Sequence, residues 1–306
     1  MKEARAVPPL HFAQGLLMGG ADVIPGVSGG TMALIVGIYE RLLRAVSGVF
    51  GALAAAARAD LPRARAAIAE VEWRFILPLG LGIVTAIVAG SRIILPLMER
   101  YPAQAHGLFF GLVAASLAIP WMRIERPGAK EYLTVPAAAV TAFVLVGLPP
   151  AMIQDPSMPR VFASAAVAIC AMILPGVSGS FLLKVLGMYE VTLAALRDLD
   201  LVYVLVFCAG AAVGLGIFAK VLTWLLEHRH DVTMAALVGL MAGSLRALWP
   251  WQEADRTLHL PGPGDPVASV VLLLAAGFAF VALLTWWGQR RLMEQAHPHP
   301  TPPQEP

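Results

Sequence analysis

The sequence predicts an all-α polytopic membrane protein made of two inverted-topology repeats, each a re-entrant broken-helix hairpin followed by three transmembrane helices. Three observations carry this expectation: too few charges for a soluble globule, six apolar segments of spanning length, and a Pro-Gly-Val-Ser-Gly cluster that occurs twice. Of the 306 residues, 58% are hydrophobic and only 14% charged, with a mean hydropathy of +0.73. A soluble globular chain carries about 25% charged residues. Disorder is thereby excluded and a soluble enzyme disfavoured, while a net charge of +2 is too small to point to nucleic acid. Cys170 and Cys208 both sit inside apolar runs, without the spacing of a disulfide framework or a zinc site. No metal or cofactor is expected.

Taken in order, Lys2 and Arg5 precede an apolar stretch, as in a signal peptide. Asp22 and Pro25 follow too soon and no small-x-small cleavage site intervenes, so the segment reads as retained. Residues 10–53 and 160–196 are apolar but interrupted, at Pro25 to Gly29 and at Pro175 to Gly179. Proline removes a backbone donor and glycine disfavours helix, so each region is expected to be two half-helices around an unwound turn. Unpaired backbone at membrane depth survives only when buried in protein or lining a polar cavity, which makes each region a re-entrant hairpin. Six further segments approach the roughly 20 apolar residues that a bilayer requires, at 75–97, 106–121, 133–153, 201–225, 233–250 and 266–288. The first repeat then covers 1–153 and the second 160–290, with a polar, proline-rich, disordered cytoplasmic tail at 291–306.

With the N-terminus cytoplasmic and both hairpins returning to the side they entered, cytoplasmic segments hold 14 of the 22 lysines and arginines and external segments hold 4. This is the bias of the positive-inside rule and puts both termini in the cytoplasm. It supports an even number of crossings in each hairpin region and says nothing of their depth.

The repeat itself is readable. Residues 25–46 and 175–196 match without gaps at ten of 22 positions, against about two expected by chance for so biased a composition. Gly80-Leu81-Gly82-Ile83 recurs as Gly214-Leu215-Gly216-Ile217, and Gly111-Leu112 with Ser116-Leu117 recurs as Gly239-Leu240 with Ser244-Leu245. Three spans per half is an odd number, so the second half enters from the opposite side, as in many secondary transporters whose site lies where broken helices meet. Glycines also serve close helix contact, and a duplication kept for packing alone is the competing reading.

The repeated turns carry the chemistry. Ser28, Gly29, Gly30 and Thr31 open one helical stretch, and Ser178, Gly179 and Ser180 open the other. Hydroxyl residues cap helix starts, glycine lets a ligand approach the backbone, and exposed N–H groups at a helix start suit a phosphate. The alternative is that these hydroxyls only satisfy their own backbone. Among charges inside apolar segments, Lys184 and Arg92 are the expected counter-charges for an anion, followed by Arg246. Arg92 also has room to snorkel toward the surface. Asp22 has no repeat partner, its equivalent being Met172, and suits a proton site or an ion pair. Tyr39-Glu40 and Tyr189-Glu190 close both copies, with coupling, ion-pair or interfacial packing roles open.

Pro25-Gly-Val-Ser-Gly-Gly-Thr31 with Gly37-Ile-Tyr-Glu40, paired with Pro175-Gly-Val-Ser-Gly-Ser180 and Gly187-Met-Tyr-Glu190, resembles a bacterial and archaeal family long catalogued as domain-of-unknown-function family 368, the PopT-type polyprenyl-phosphate translocases. The resemblance spans roughly residues 8–290. The second copy departs from the first at Ser180-Phe181, where the first has Gly30-Thr31, so the two turns need not be equivalent. The resemblance implies a transporter and not an enzyme, one that returns undecaprenyl phosphate from the outer to the inner leaflet of the bacterial cytoplasmic membrane for cell-wall synthesis. It makes that lipid and the membrane the expected partners. Two other classes compete. A transporter or channel for a small soluble anion would use the same site. An intramembrane serine hydrolase would use Gly-x-Ser-Gly, but needs a histidine base beside the serine, and only His11 and His106 lie in or beside apolar segments.

Overall fold

In the computed structural model, which describes residues 8–23, 28–253 and 255–296, the described residues form helices joined by turns, with no strand. The first hairpin region gives α1 (Pro8–Val23), α2 (Gly29–Ile35) and α3 (Tyr39–Ala57). An amphipathic α4 (Leu61–Glu70) leads to α5 (Trp73–Arg100), α6 (Pro102–Ser116), the short α7 (Ala118–Trp121) and α8 (Ala129–Val146). The second region gives α9 (Met158–Ile173), α10 (Gly179–Val185) and α11 (Tyr189–Arg197). It is followed by α12 (Leu201–His228), α13 (His230–Ser244) with a 3-10 turn at Leu245–Leu248, and α14 (Val267–Ala296). Six helices among the described residues are long and apolar enough to cross a membrane: α5, α6 with α7, α8, α12, α13 with its 3-10 turn, and α14.

The expected boundaries change in four places, each for a physical reason. Each hairpin region holds three helices and not two, because Gly37 (φ +75) and Gly187 (φ +73) take the left-handed conformation and break the chain a second time. At the second break α10 and α11 meet at 107°. The 133–153 span stops at Val146, since Gly147 and the Pro149-Pro150 pair cannot continue it. Residues 147–157 instead run alongside the hairpin, where the Ala151 N–H donates to the Lys184 carbonyl (3.0 Å) and the Ile153 N–H to that of Gly187 (3.3 Å). The basic stretch between the first hairpin and α5 is helical, with Asp60 capping α4. The last helix reaches Ala296, past the expected end at 288 and into the expected tail. Lys2, Arg5, the turn residues Pro25, Gly26 and Val27, and residues 297–306 lie outside the described residues.

Four helix pairs build the bundle: α1 on α5, α9 on α12, α6 on α14 and α8 on α13. Within each half the first hairpin helix packs on the first span, and across the halves the second span of one packs on the third span of the other. Backbone-to-backbone contact makes these pairs tight. A Cβ added at Gly111 would strike the Leu274 carbonyl of α14, and one at Gly239 would strike the Val135 carbonyl of α8. The echoed serines behave alike as well, Ser116 donating to the Val113 carbonyl and Ser244 to that of Met241, both at 2.7 Å. The Gly-Leu-Gly-Ile echo does not keep one role. Gly82 faces α1, whereas Gly214, the partner of Gly80, is the glycine that faces α9. Apolar side chains such as Leu133, Leu205 and Leu272 point outward from α8, α12 and α14.

Close contact at Gly111 sets a test. Gly111→Leu should destabilise the protein by about 1–3 kcal/mol or more, while Gly80→Leu, whose new Cβ would have nothing within 4 Å, should not. Melting curves of the two variants in one detergent distinguish them.

Candidate functional site

The tips of the two hairpins meet. A helix leaves its last carbonyls without intrahelical donors, and inside an apolar bundle each must find another partner. The end of α9 finds its donors in the other half. Ser28 Oγ donates to the Met172 carbonyl (3.0 Å), with the Leu174 carbonyl at 3.3 Å as alternative acceptor. The Tyr39 hydroxyl donates to the Ile173 carbonyl (3.2 Å). Beyond the helix, the Gly176 N–H donates to Thr31 Oγ1 (2.8 Å). A side chain at residue 30 would collide with the Ile173 carbonyl, so this approach requires Gly30. Ser28, Thr31 and Tyr39 are each about 1% exposed.

In the first copy, the opening N–H groups of α2 are already occupied. The Asp22 carboxylate accepts from the Gly29 N–H at 2.7 Å, and Ser28 Oγ accepts from Gly30 N–H at 3.1 Å. The first turn therefore carries its own anion, the Asp22 side chain. The second copy is open. Met172 stands where the first copy has Asp22, and among the described residues the N–H groups of Gly179 and Ser180 have no acceptor. Ser178 Oγ and Ser180 Oγ hydrogen-bond to each other at 2.9 Å, and the one backbone bond that Ser178 Oγ accepts among the described residues is a long one of 3.5 Å from the Phe181 N–H.

This open turn borders a cavity of about 210 Å³. Asp22, Ser28, Ser178, Gly179 and Ser180 supply its polar lining, and Ile169, Met172, Leu183 and Phe207 are among its apolar lining. The volume equals that of about seven waters at ~30 Å³ each, enough for a small polar group and too little for a long chain. The apolar lining had no signal in the sequence, because apolar residues are everywhere in such a chain.

The other expected residues lie elsewhere. Arg92 is exposed on α5 and does not border the cavity. Lys184 sits on α10 but turns its ammonium onto the Tyr189 ring, 4.6 Å from the centroid. Arg246 lies at the far end of α13, over the Phe143 ring. Glu40 pairs with Arg123 (3.3 Å), both part-exposed, and Glu190 is exposed. Thus Ser28, Ser178, Gly179, Ser180 and Asp22 come together, Gly29, Gly30, Thr31 and Tyr39 support them, and no basic side chain borders the cavity. Neither candidate histidine borders it: His11 contacts Gln14 (2.9 Å) and His106 the Pro102 carbonyl (2.7 Å).

The VCA0040-like family model, described as undecaprenyl phosphate translocase-like, matches residues 18–261. A polyprenyl-phosphate transporter of Vibrio cholerae is 38% identical over 242 residues, 79% of this chain and 78% of that protein. A polyprenyl-phosphate transporter of Staphylococcus aureus is 27% identical over 259 residues, 79% of this chain and 86% of that protein. No solved structure matches. The chain belongs to the undecaprenyl phosphate translocase-like family and is a multi-pass membrane protein.

The two serines should separate by experiment. Ser28→Ala and Thr31→Val each leave buried backbone groups unpaired and should cost about 1–3 kcal/mol. Ser178→Ala and Ser180→Ala remove hydroxyls that border open space and should leave the melting temperature near wild type.

Proposed function

We propose that this family member moves undecaprenyl phosphate from the outer to the inner leaflet of the bacterial cytoplasmic membrane, for reuse as lipid carrier in cell-wall synthesis, and is not an enzyme. The observation that carries this reading is the asymmetry of the repeated turn. One copy is closed by its own carboxylate, and the other offers two hydroxyls and two unused N–H groups to a cavity of head-group size. Relatives named for polyprenyl-phosphate transport support the choice of ligand. Carrying a phosphate through hydrocarbon unaided is prohibitive because of the cost of desolvating charge. A cavity of donors near the midplane lowers that cost, while the prenyl chain stays in lipid.

On this reading the two halves are inverted repeats and each hairpin is re-entrant, with both termini cytoplasmic. The exchange of packing partners between the halves supports it, as do three spans per half and the count of basic residues. Transport then follows from exchanging the roles of the two tips. In the observed state Ser28 and Tyr39 hold the end of α9. In the opposite state their repeat equivalents, Ser178 and Tyr189, hold the end of α1, and the cavity opens on the other side. Thr31 has no such equivalent, because Phe181 replaces it and cannot accept a hydrogen bond. The two states are therefore unequal in stability.

Asp22 lines the same cavity and repels an incoming anion while it is charged. Asp22→Asn keeps an acceptor for Gly29 N–H and removes that repulsion, so it should bind a short-chain prenyl phosphate severalfold more tightly in a direct titration.

Transport itself is tested in proteoliposomes by following the leaflet of fluorescent undecaprenyl phosphate. Wild type should accelerate its movement. Ser178→Ala/Ser180→Ala should slow it by about tenfold or more, given hydrogen bonds to charged groups worth about 1.5–3 kcal/mol each. Entry of soluble phosphate with no lipid movement would move the reading to a small-anion transporter. Complete loss from one serine alone, with hydrolysis in wild type, would indicate a nucleophile.

A further inference from the structure

The end of the bundle where α13 turns toward α14 holds two arginines that no carboxylate among the described residues pairs with. Arg246, in the 3-10 turn, stacks over the Phe143 ring at 4.5 Å and donates from Nη1 to the Phe143 carbonyl at 3.2 Å. Its Nη2 reaches the Arg256 carbonyl at 3.4 Å, and its Nε is buried with no acceptor. Gly147 makes room for it, since a Cβ there would overlap the guanidinium. Arg256 lies in the loop that follows, at a φ of +74. Its guanidinium covers the Phe181 ring at 4.8 Å, and Nη1 donates to Gln252 Oε1 at 3.3 Å. Gln252 is itself fixed, its amide donating to the Ala247 and Trp249 carbonyls at 2.8 Å each.

Nearby acids are engaged elsewhere. Glu253 pairs with His259 (3.1 Å), and Asp255 accepts from the Thr257 N–H (2.9 Å). None of the ion pairs among the described residues includes Arg246 or Arg256. Burial first and the Arg246 charge second push the Arg256 pKa down. The fold thus holds two like charges together, each fixed on an aromatic face with donors to spare, at a cost that an anion would offset. Trp249 and Trp251, edge to face at 5.6 Å, give this loop the aromatic character of a membrane–water interface. Phe181, under Arg256, directly follows Ser180 of the open turn, so Arg256 reaches α10 one residue beyond the cavity lining.

We infer that Arg246 and Arg256 form a second anion site, for the phosphoryl group of a prenyl phosphate at the membrane surface, separate from the cavity at the hairpin tips. Its role as a loading station for that cavity rests on the transport reading; its existence as an anion site does not.

The test is calorimetric titration of the full chain in nanodiscs with geranylgeranyl phosphate, inorganic phosphate and uncharged geranylgeraniol. Wild type should bind two geranylgeranyl phosphates per chain, and Arg246→Gln/Arg256→Gln one. Ser178→Ala/Ser180→Ala should keep the arginine site. Should the glutamine variant fail to fold, Arg246→Lys/Arg256→Lys keeps both charges and removes the forks, and should weaken that site about tenfold. Unchanged stoichiometry and affinity in the arginine variants would overturn the inference. Arginine-dependent binding of inorganic phosphate with no gain from the prenyl chain would overturn the lipid assignment. Intact arginine-dependent lipid binding with no lipid movement in proteoliposomes would leave the site standing and defeat the transport reading.

Discussion

The structure depends on how one helix end is satisfied away from water. The terminal carbonyls of α9 point into the bundle, and an unpaired carbonyl there costs several kcal/mol. Ser28 and Tyr39 from the other half of the chain supply the donors, and Thr31 accepts from the turn beyond. Because those donors come from the first repeated cluster, the two breaks in the chain are mutually required. The point where the two parts of the chain are joined is formed by Ser28, Thr31 and Tyr39 on one side and the end of α9 with Gly176 on the other.

That arrangement also leaves the two turns asymmetric. Two turns of nearly the same sequence are in different chemical states, chiefly because Asp22 stands where the second copy has Met172, and also because Gly30-Thr31 is replaced by Ser180-Phe181. With Asp22 in place, the first turn is complete without a ligand. With Met172 in its place, the second turn leaves hydroxyl and N–H donors bordering a cavity. A duplicated motif therefore yields a structural clamp and a candidate binding site.

Much of this was legible in the sequence. The paired clusters marked the broken regions and the six spans followed from length and composition. Ser28, Ser178 and Ser180, named as phosphate-binding candidates, and Asp22, named as a coupling or ion-pair candidate, border one cavity. The second break was hidden, since a glycine within an apolar run reads equally as a contact surface or as a left-handed turn, and only the backbone distinguishes Gly37 from Gly80. Basic residues misled for a related reason. A charge inside an apolar segment announces that it needs a partner, but not which one. Lys184 finds the Tyr189 ring and Arg92 the protein exterior, neither of which is encoded by local spacing. Arg256 lies in the loop only ten residues after Arg246, and their closeness comes from how that loop folds back, which charge spacing alone does not encode.

The most direct test of the central claim is a cryo-electron microscopy map of the protein in a nanodisc loaded with undecaprenyl phosphate. The account predicts head-group density in the cavity, within hydrogen-bonding distance of Ser178 and Ser180, with Ser28 still joined to the end of α9. Head-group density against Ser28 and Thr31 while the second turn stands empty, or hairpin tips that do not touch, would contradict it.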